Sequence, residues 1–459
     1  MAFITKQGQV AGLAQWPQGV SLPGGRVLSQ FPTTSFERFL LVTLIIILPL
    51  EEHIPAVAGL SSLFILFGVL GGYVLVNRAT IFNKVLIHRV FLASFAFIGV
   101  SALLESLSPF TMYRDIFRFG QMIAGAILVA SLCRDRLALR ACLYGYIGLA
   151  LWLSVVLFLT SYGTLSGMTA GNFDEASVIR HEVMQDSPVT GNFNGFAFMS
   201  VQGGIVALVF ALAGGSPLRC RLFSVIAVFC LVASFLAMSR SAVAIGIVSC
   251  AAVLYAHGIR HGKALILVGL LGLIIYIVVP DTVWSRMTFS TEVREGKMEA
   301  RADLYWKALQ HLDDYMIIGV GAGNFWNKWG FDHGFASGSA FSIDVSGLHN
   351  TFLQVTINWG LPGLLALTVV IWQAYRCLPK RSGSDPLALG VLGIAVSLVL
   401  FLNFTHNYED KLLSLGLGML VASRYWIWPS GLVLPVKKHR SQGLHFRKDL
   451  HHPSGSSAL

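Results

Sequence analysis

Long apolar runs separated by short polar connections dominate this chain. Clear examples without a charged residue are Phe39–Leu50, Ala56–Val76, Leu222–Met238 and Leu265–Val279. A run of about 20 apolar residues crosses the hydrocarbon core of a bilayer as a helix, which satisfies its own backbone polar groups there. The pattern therefore predicts an all-α, polytopic integral membrane protein with about 12 transmembrane helices.

The candidate spans divide the chain into five parts. The spans lie at 37–51, 55–77, 85–106, 117–133, 138–162, 192–214, 220–238, 241–257, 263–280, 350–376, 386–404 and 411–430. The parts are an N-terminal tail (1–36), helices 1–9 (37–280, with an outward loop at 163–191), a large outward loop (281–349), helices 10–12 (350–430) and a basic C-terminal tail (431–459).

The placement of basic residues predicts the orientation. With the N-terminus in the cytoplasm, the inner connections and tails receive 22 of the 33 Lys and Arg residues. Basic residues collect in cytoplasmic loops, so this orientation, with both termini inside, is favoured over the reverse. The same rule explains the net charge of +10 as a solvated inner face near membrane lipids and argues against nucleic acid as a partner.

Composition supports the membrane assignment. The residues are 55% hydrophobic and only 12% charged, and the charged fraction is roughly half that of a soluble domain. The large loop is the exception, because it is mixed in charge and rich in Gly, Trp and Phe. It predicts an amphipathic helix at Ala300–Leu312, with apolar Leu304, Ala308 and Leu312 at helical spacing, ended by the glycines at 319, 321 and 323.

Two arginines are candidates for binding an anion on the outward side. Arg240 lies between two strongly apolar spans, where a snorkelling arginine is the structural alternative. Arg301 opens the predicted loop helix, where free backbone N–H groups also favour anions, although a solvated loop arginine is common. A guanidinium stays ionised and presents a planar fork of donors that matches phosphate oxygens.

His349 is the candidate acid–base residue. It lies in Leu348-His-Asn-Thr-Phe-Leu-Gln354, where the large loop meets span ten, and polar residues then continue into the helix through Ile357-Asn-Trp-Gly-Leu-Pro-Gly363. A neutral imidazole has a pKa near physiological pH and can accept a proton from a sugar hydroxyl. An ordinary interfacial polar residue is the alternative.

Motifs for metals and nucleotides are not found. Gly319-Val-Gly-Ala-Gly323 neither follows a strand nor opens a Rossmann unit, so it does not predict a nucleotide site. No His or Cys cluster has the usual spacing of metal ligands. The sequence therefore predicts no metal site and no cofactor.

Several of these segments together resemble the O-antigen ligase and O-antigen (exopolysaccharide) polymerase superfamily of bacterial membrane glycosyltransferases. The resemblance rests on Arg240-Ser-Ala, Arg301-Ala-Asp-Leu-Tyr-Trp306, Ile317–Phe325, His349-Asn-Thr-Phe-Leu-Gln354 and Gly360-Leu-Pro-Gly363, in this order around one large outward loop. It is strongest over residues 190–375.

The resemblance implies a metal-independent, C-type glycosyltransferase in the bacterial inner membrane, with its active site facing the periplasm. Its donor would be a glycan on undecaprenyl diphosphate, and its acceptor would be lipid A-core or a lipid-linked glycan. Arg240, Arg301 and His349 would be the catalytic residues, the arginines holding the diphosphate. Residues expected to bind substrate are Trp306, Asn350 and Gln354 in the same motifs and Arg180 in the earlier loop.

Two alternatives remain open at this level. A ligase passes the glycan to lipid A-core and a polymerase passes it to another lipid-linked unit, and the sequence does not separate them. A multi-span transporter of a small solute or lipid-linked sugar is the alternative from another class. Transporters commonly show internal repeats and broken helices at the midplane, and the chain shows no convincing repeat.

Overall fold

The structure is a computed structural model that describes most of the helical part of the chain. The described residues are 32–47, 62–162, 193–259, 300–339, 342–345, 347–380, 383, 385–404 and 412–428, with positions 269, 272–277, 279 and 283–284 in between. Most of candidate span nine, at 263–280, falls outside them.

Long apolar helices make up the described fold. Their bounds are α1 Ser35–Ile47, α2 Ser62–Leu86, α3 Arg89–Ser106, α4 Arg114–Leu132, α5 Arg136–Leu157 with a π-helical turn at Phe158–Tyr162, α6 Phe193–Leu212, α7 Pro217–Leu236 and α8 Arg240–His257. Within the described ranges, eight helices are long and apolar enough to cross a membrane. The prediction of an integral membrane protein built from helices is confirmed at this level.

The large loop folds into short elements, and the last helices follow it. These elements are α9 Ala300–Gln310, α10 Leu312–Tyr315, α11 Ala322–Asn324, a π-helical turn at Phe325–Trp329, α12 Gly330–Asp332, and the strands β1 Ala336–Ser339 and β2 Ser342–Val345. The helices that follow are α13 Thr351–Tyr375, α14 Pro386–Leu402 and α15 Leu412–Ala422, which ends in a π-helical turn at Ser423–Ile427. The two strands pair antiparallel and form a hairpin, which is the one β-sheet among the residues that the structure describes.

The second helix, α2, extends beyond the end of the predicted span at 55–77. It continues to Leu86 and carries a kink at Arg78, where φ is −139° and ψ is 26°. The hydropathy pattern placed the end of the span at this charged residue. Regular helical geometry is interrupted at this residue, and a second helical segment follows it to Leu86. The Arg78 guanidinium pairs with Glu37 at 2.8 Å, so the charge at the kink has a partner.

Charged residues cluster at one end of the bundle. The buried carboxylate of Glu37 contacts Arg78 at 2.8 Å and Arg134 at 2.6 Å, and Arg136 contacts Asp385 at 2.9 Å. The sequence assigned all three arginines to the cytoplasmic side, and the structure places them together. Helix α4 ends next to this charged cluster, and because it has 19 residues, its first residue lies about 28 Å from the cluster.

The loop helix begins where it was predicted but ends earlier. Leu304 and Ala308 are buried, as their spacing predicted, in a small hydrophobic cluster of the loop. Leu312 was expected on the same face and is 38% exposed instead. The reason is a break at His311, where φ is −112° and ψ is 26°, so that Leu312 starts a new short helix rather than continuing the first face.

Candidate active site

The candidate site is built where the large loop meets α13, a helix that is broken at Trp359 and Gly360. Pro362 has no N–H group, so the carbonyl oxygen of Asn358 has no donor within the helix. The N–H of Gly321, from the loop, donates to this carbonyl at 2.9 Å. The loop therefore supplies the hydrogen bond that the proline removes.

Two further backbone hydrogen bonds complete this pairing. The N–H of Val320 donates to the carbonyl of Ile357 at 2.8 Å, and the N–H of Leu361 donates to the carbonyl of Met316 at 2.8 Å. Buried backbone groups need such partners, and a broken helix leaves several without one. The loop motif 317–325 and the helix motif 357–363, which are separate in sequence, form one backbone junction.

Glycines permit this close approach. Gly360 has φ 60° and ψ −162°, a conformation essentially restricted to glycine. A Cβ atom on Gly360 would lie 2.6 Å from the carbonyl oxygen of Ile317, and one on Gly319 would lie 2.4 Å from that of Asn358. Larger residues at either position would push the loop away from the helix.

Glu105, at the end of α3, holds the same junction from the other side. Its buried carboxylate accepts hydrogen bonds from the N–H groups of Met112 at 2.8 Å, Ala322 at 2.7 Å and Gly323 at 2.9 Å. It also accepts one from the indole N–H of Trp359 at 3.1 Å. Sequence reasoning missed this residue, although a lone acidic residue within the candidate span at 85–106 was a feature that could have pointed to it.

His349 lies immediately before α13 in a strained backbone conformation. Its φ is 51°, a value that non-glycine residues rarely adopt. Asn350 caps the helix, because its side-chain oxygen accepts from the N–H of Leu353 at 3.0 Å. The hydroxyl of Tyr305 donates to the carbonyl of His349 at 3.4 Å, which links α9 to the histidine.

Gln354 continues this anchorage into the helix. Its side-chain oxygen accepts from the N–H of Leu348 at 3.2 Å, and its side-chain N–H donates to the amide oxygen of Asn358 at 3.1 Å. Gln354 is buried, so in the structure it fixes the turn around His349 rather than presenting an open face. Its predicted role in binding substrate stays a prediction.

Helix α9 carries the two other loop candidates. Arg301 lies one helical turn before Tyr305, the residue that contacts the His349 carbonyl. Trp306 is 55% exposed on the same helix, and an exposed indole can stack on a sugar ring. The structure thus places the Arg301 position and Trp306 on an element that touches the His349 segment.

Arg240 is the first residue of α8 and lies at a second strained turn. The side chain of Ser239 caps the helix by accepting from the N–H of Ala242 at 3.4 Å, and Met238 just before it has φ 50°. Within the described part of the chain, Met238 and His349 are the two non-glycine residues with positive φ. Such strain costs about 1–3 kcal/mol each and concentrates at functional sites.

The predicted site residues lie on different parts of the described structure. Helix α8, with Arg240, packs against α6, α7 and α14, whereas α9 and the start of α13 belong to the loop junction. Convergence of Arg240 with Arg301 and His349 in one cleft stays a prediction. Arg180 lies outside the described residues.

These features define a polytopic helical membrane protein whose polar candidate site lies where a folded loop meets a broken helix. Residues 225–368 match the family model described as O-Antigen ligase (Wzy_C), which confirms the resemblance to the O-antigen ligase and polymerase superfamily. A search of curated proteins gave no match. The family match supports a ligase- or polymerase-type, glycosyltransferase-like activity in surface polysaccharide assembly, with lipid-linked glycans as substrates.

The matched segment contains most of the candidate residues. Arg240, Arg301 and His349 fall within it, as do Trp306, Asn350 and Gln354. Arg180 and Glu105 lie outside it. The segment thus includes both strained turns and the backbone pairing between the loop and α13, whereas Glu105 and Met112 on the other side of the junction lie outside it.

Proposed function

We propose that this protein transfers a glycan from undecaprenyl diphosphate to a sugar hydroxyl at the periplasmic face of the bacterial inner membrane. The proposal rests on the conformation of His349 inside the family-matched segment. The backbone of His349 is strained, the next residue, Asn350, caps α13, and the hydroxyl of Tyr305 donates to the His349 carbonyl. Its local structure is typical of a residue that is positioned for function.

In the proposed reaction, the acceptor hydroxyl oxygen attacks the anomeric carbon of the donor sugar. The bond from this carbon to the diphosphate oxygen breaks, and undecaprenyl diphosphate leaves with the bonding electrons. The hydroxyl proton passes to a ring nitrogen of His349. Attack from the face opposite the diphosphate inverts the anomeric centre.

The arginines supply the main electrostatic contribution in this proposal. A diphosphate is already a good leaving group, so the reaction needs neutralisation of its charge more than it needs an acid. Arg240 at the start of α8 and Arg301 at the start of α9 are proposed to bind the diphosphate oxygens. Groups arranged in advance around a developing charge are often the largest source of rate enhancement. No metal takes part in these steps.

Substrate contacts are proposed for residues around this centre. Exposed Trp306 would stack on a sugar of the donor or acceptor. Asn350 and Gln354 act in the structure by holding the His349 turn, so any contact of theirs with substrate is secondary to that role. Arg180 is proposed as a further anion-binding residue on the earlier outward loop.

The test is reconstitution of the purified full-length protein with lipid-diphosphate-linked repeat units, with and without lipid A-core. Wild type is compared with Arg240→Ala, Arg301→Ala and His349→Ala. Arg219→Ala is the matched control, because Arg219 is an exposed arginine at the start of α7 and outside the matched segment. Products are resolved by size.

A ladder of longer lipid-linked glycans that is lost in the site variants and retained in Arg219→Ala identifies a polymerase. Transfer to lipid A-core alone identifies a ligase. Loss of the His349 proton acceptor is expected to lower the rate by roughly 10²–10⁴-fold. Equal rates in wild type and all site variants would overturn the proposed site and make transport of a lipid-linked sugar the function to test.

A further inference from the structure

A cluster of metal-ligating side chains lies in the large loop, apart from the proposed reaction centre. His311 separates α9 from α10, Asp314 lies in α10, and His333 follows α12. One oxygen of Asp314 lies 3.8 Å from Nδ1 of His311 and 3.5 Å from Nε2 of His333. One ligand atom from each of the three residues lies within 4.8 Å of the others.

These distances fit a small divalent ion. Imidazole nitrogens and carboxylate oxygens bind Zn²⁺ at about 2.0–2.2 Å, so two ligands of a tetrahedral ion lie about 3.4 Å apart. The two separations from Asp314 are close to that edge length. Only small side-chain movements would be needed to complete the three-ligand arrangement.

The surroundings of His333 orient it as a ligand. Its Nδ1 lies 2.7 Å from the carbonyl oxygen of Trp329, and this contact fixes Nδ1 as the protonated nitrogen. In the neutral imidazole, the lone pair of Nε2 then faces the Asp314 side. The Trp329 ring stacks on the imidazole at 4.3 Å, and its indole N–H donates to the same Asp314 oxygen at 3.3 Å. Metal-binding histidines commonly have such an outer hydrogen bond to a carbonyl.

We propose that His311, Asp314 and His333 bind a divalent transition-metal ion of the Zn²⁺ class. Two imidazoles and one carboxylate suit Zn²⁺ or Co²⁺ better than Mg²⁺ or Ca²⁺, which prefer sites made of oxygen ligands only. The three side chains are partly exposed, so water can reach the site. The ion takes no part in the steps of the proposed glycosyl transfer.

The ion would fasten two halves of the loop together. On one side are α9 and α10, and on the other is the segment Trp329–Phe335, and both belong to the hydrophobic cluster that includes Leu304, Ala308 and Leu348. Protein contacts already join the two sides, since the Lys307 ammonium donates to the carbonyl of Gly334 at 2.9 Å. The metal therefore acts as a structural clip for the loop that carries the Arg301 position and Trp306.

The test is Co²⁺ titration of the full-length protein in detergent, purified without a polyhistidine tag and stripped with a chelator. Co²⁺ gives visible absorption bands whose intensity reports tetrahedral coordination. His311→Gln, Asp314→Asn and His333→Gln are compared with wild type. Asp332→Asn is the matched control, because Asp332 is an exposed carboxylate in the same loop that pairs with Lys328 rather than with the histidines.

Wild type and Asp332→Asn are expected to bind one equivalent with tetrahedral bands, and each site variant is expected to bind at least about 10-fold more weakly. The histidines at 439, 445, 451 and 452 in the C-terminal tail are common to all variants, so their contribution cancels. The added ion should also raise the melting temperature of wild type and of the control but not of Asp314→Asn.

Equal Co²⁺ binding by wild type and all three site variants would overturn the proposal, as would bands without tetrahedral intensity in wild type. If Asp314→Asn elutes as an aggregate, the result for His311→Gln decides the question. The side chain of His311 is more exposed than that of His333, so its replacement disturbs the fold less. The readout is metal binding and not activity. Failure of the glycosyl-transfer proposal would therefore leave this result unaffected.

Discussion

The buried carboxylate of Glu105 accepts a hydrogen bond from the indole N–H of Trp359 at 3.1 Å, across 254 positions of sequence. The same carboxylate accepts the N–H groups of Ala322 and Gly323 from the large loop. One side chain therefore joins α3, the break in α13 and the glycine-rich part of the loop. The position of the His349 segment relative to the loop depends on this junction.

Replacing Glu105 should destabilise the junction strongly. Glu105→Ala leaves four N–H donors without their acceptor, and the three from Ala322, Gly323 and Trp359 are buried. Each buried unsatisfied donor costs about 1–3 kcal/mol, so we expect a loss of at least about 3 kcal/mol in the free energy of unfolding. Asp332→Asn, at an exposed carboxylate, is the control and should change stability little. Thermal unfolding in detergent measures both. A change of less than about 1 kcal/mol in Glu105→Ala would contradict the assignment of Glu105 as the anchor.

Two glycines in different surroundings give a second prediction. Gly360→Ala places a Cβ atom 2.6 Å from the Ile317 carbonyl in a glycine-only conformation, and we expect a loss of about 2 kcal/mol or more in unfolding free energy. A Cβ on Gly99 in α3 meets nothing within 4 Å, so Gly99→Ala should be neutral or stabilising by up to about 1 kcal/mol.

Limited proteolysis of the loop would distinguish a local opening from global unfolding. We expect Gly360→Ala to expose the loop near Ile317 to protease at temperatures where Gly99→Ala remains protected. Equal protection in the two variants would show that the loop does not depend on its pairing with α13.

The strain at His349 predicts that activity and stability separate. His349→Gly relieves the positive φ and keeps the backbone carbonyl that accepts from Tyr305, so its melting temperature should equal or exceed that of wild type. Transfer activity should fall by roughly 10²–10⁴-fold because the proton acceptor is lost. His349→Ala should be equally inactive but less stable than His349→Gly. An active His349→Gly protein would show that the imidazole is not needed for transfer and would contradict its role as proton acceptor.

The connection between α2 and α3 should be sensitive to acid through His88. Burial, together with the nearby Arg89 and Arg424, lowers the pKa of His88 from 6.5 to about 4. The neutral ring accepts from the N–H of Val90 at 3.4 Å and thereby caps α3. Because the folded state binds the proton less tightly than the unfolded state, this contribution is present above pH 6.5 and is lost as the pH falls to about 4.

His88→Asn provides the matched variant for this prediction, since asparagine keeps a capping acceptor and does not titrate in this range. The melting temperature of wild type should fall more steeply than that of His88→Asn between pH 6.5 and pH 4. Parallel curves for the two proteins would show that His88 is equally easy to protonate in the folded and unfolded states.

The long apolar helices of the described bundle could be predicted from the sequence, because hydropathy and helical period are properties of neighbouring residues. The count of about 12 spans stays a prediction. Apolar runs of bilayer length predicted helices such as α5 and α8, and the i, i+4 spacing of Leu304 and Ala308 predicted the buried face of α9. Where prediction and structure differ, the difference involves a contact between residues far apart in the chain. Helix α2 is kinked at Arg78 and resumes beyond it to Leu86, and the Arg78 charge is paired with Glu37, which lies 41 positions earlier in the chain.

The candidate site was only partly predictable. The motifs around Arg240, Arg301 and His349 are continuous in sequence and are all within the family-matched segment, so they could be found without a structure. Their backbone conformations could not be found in this way, since the positive φ of Met238 and His349 is imposed by the surrounding fold. The reach of Tyr305 to the His349 carbonyl likewise depends on how α9 packs.

What the sequence by itself determined is the class of protein, the helical segments and the chemistry-bearing motifs, because hydropathy, helical period and motif order are properties of neighbouring residues. The tertiary structure alone decided that Glu105 anchors the loop, that Gly321 supplies the hydrogen bond displaced by Pro362, and that His333 lies beside His311 and Asp314. These relationships join residues that are far apart in the chain. Buried hydrogen-bonding groups take whichever partners the packing brings to them, and no local pattern records that choice.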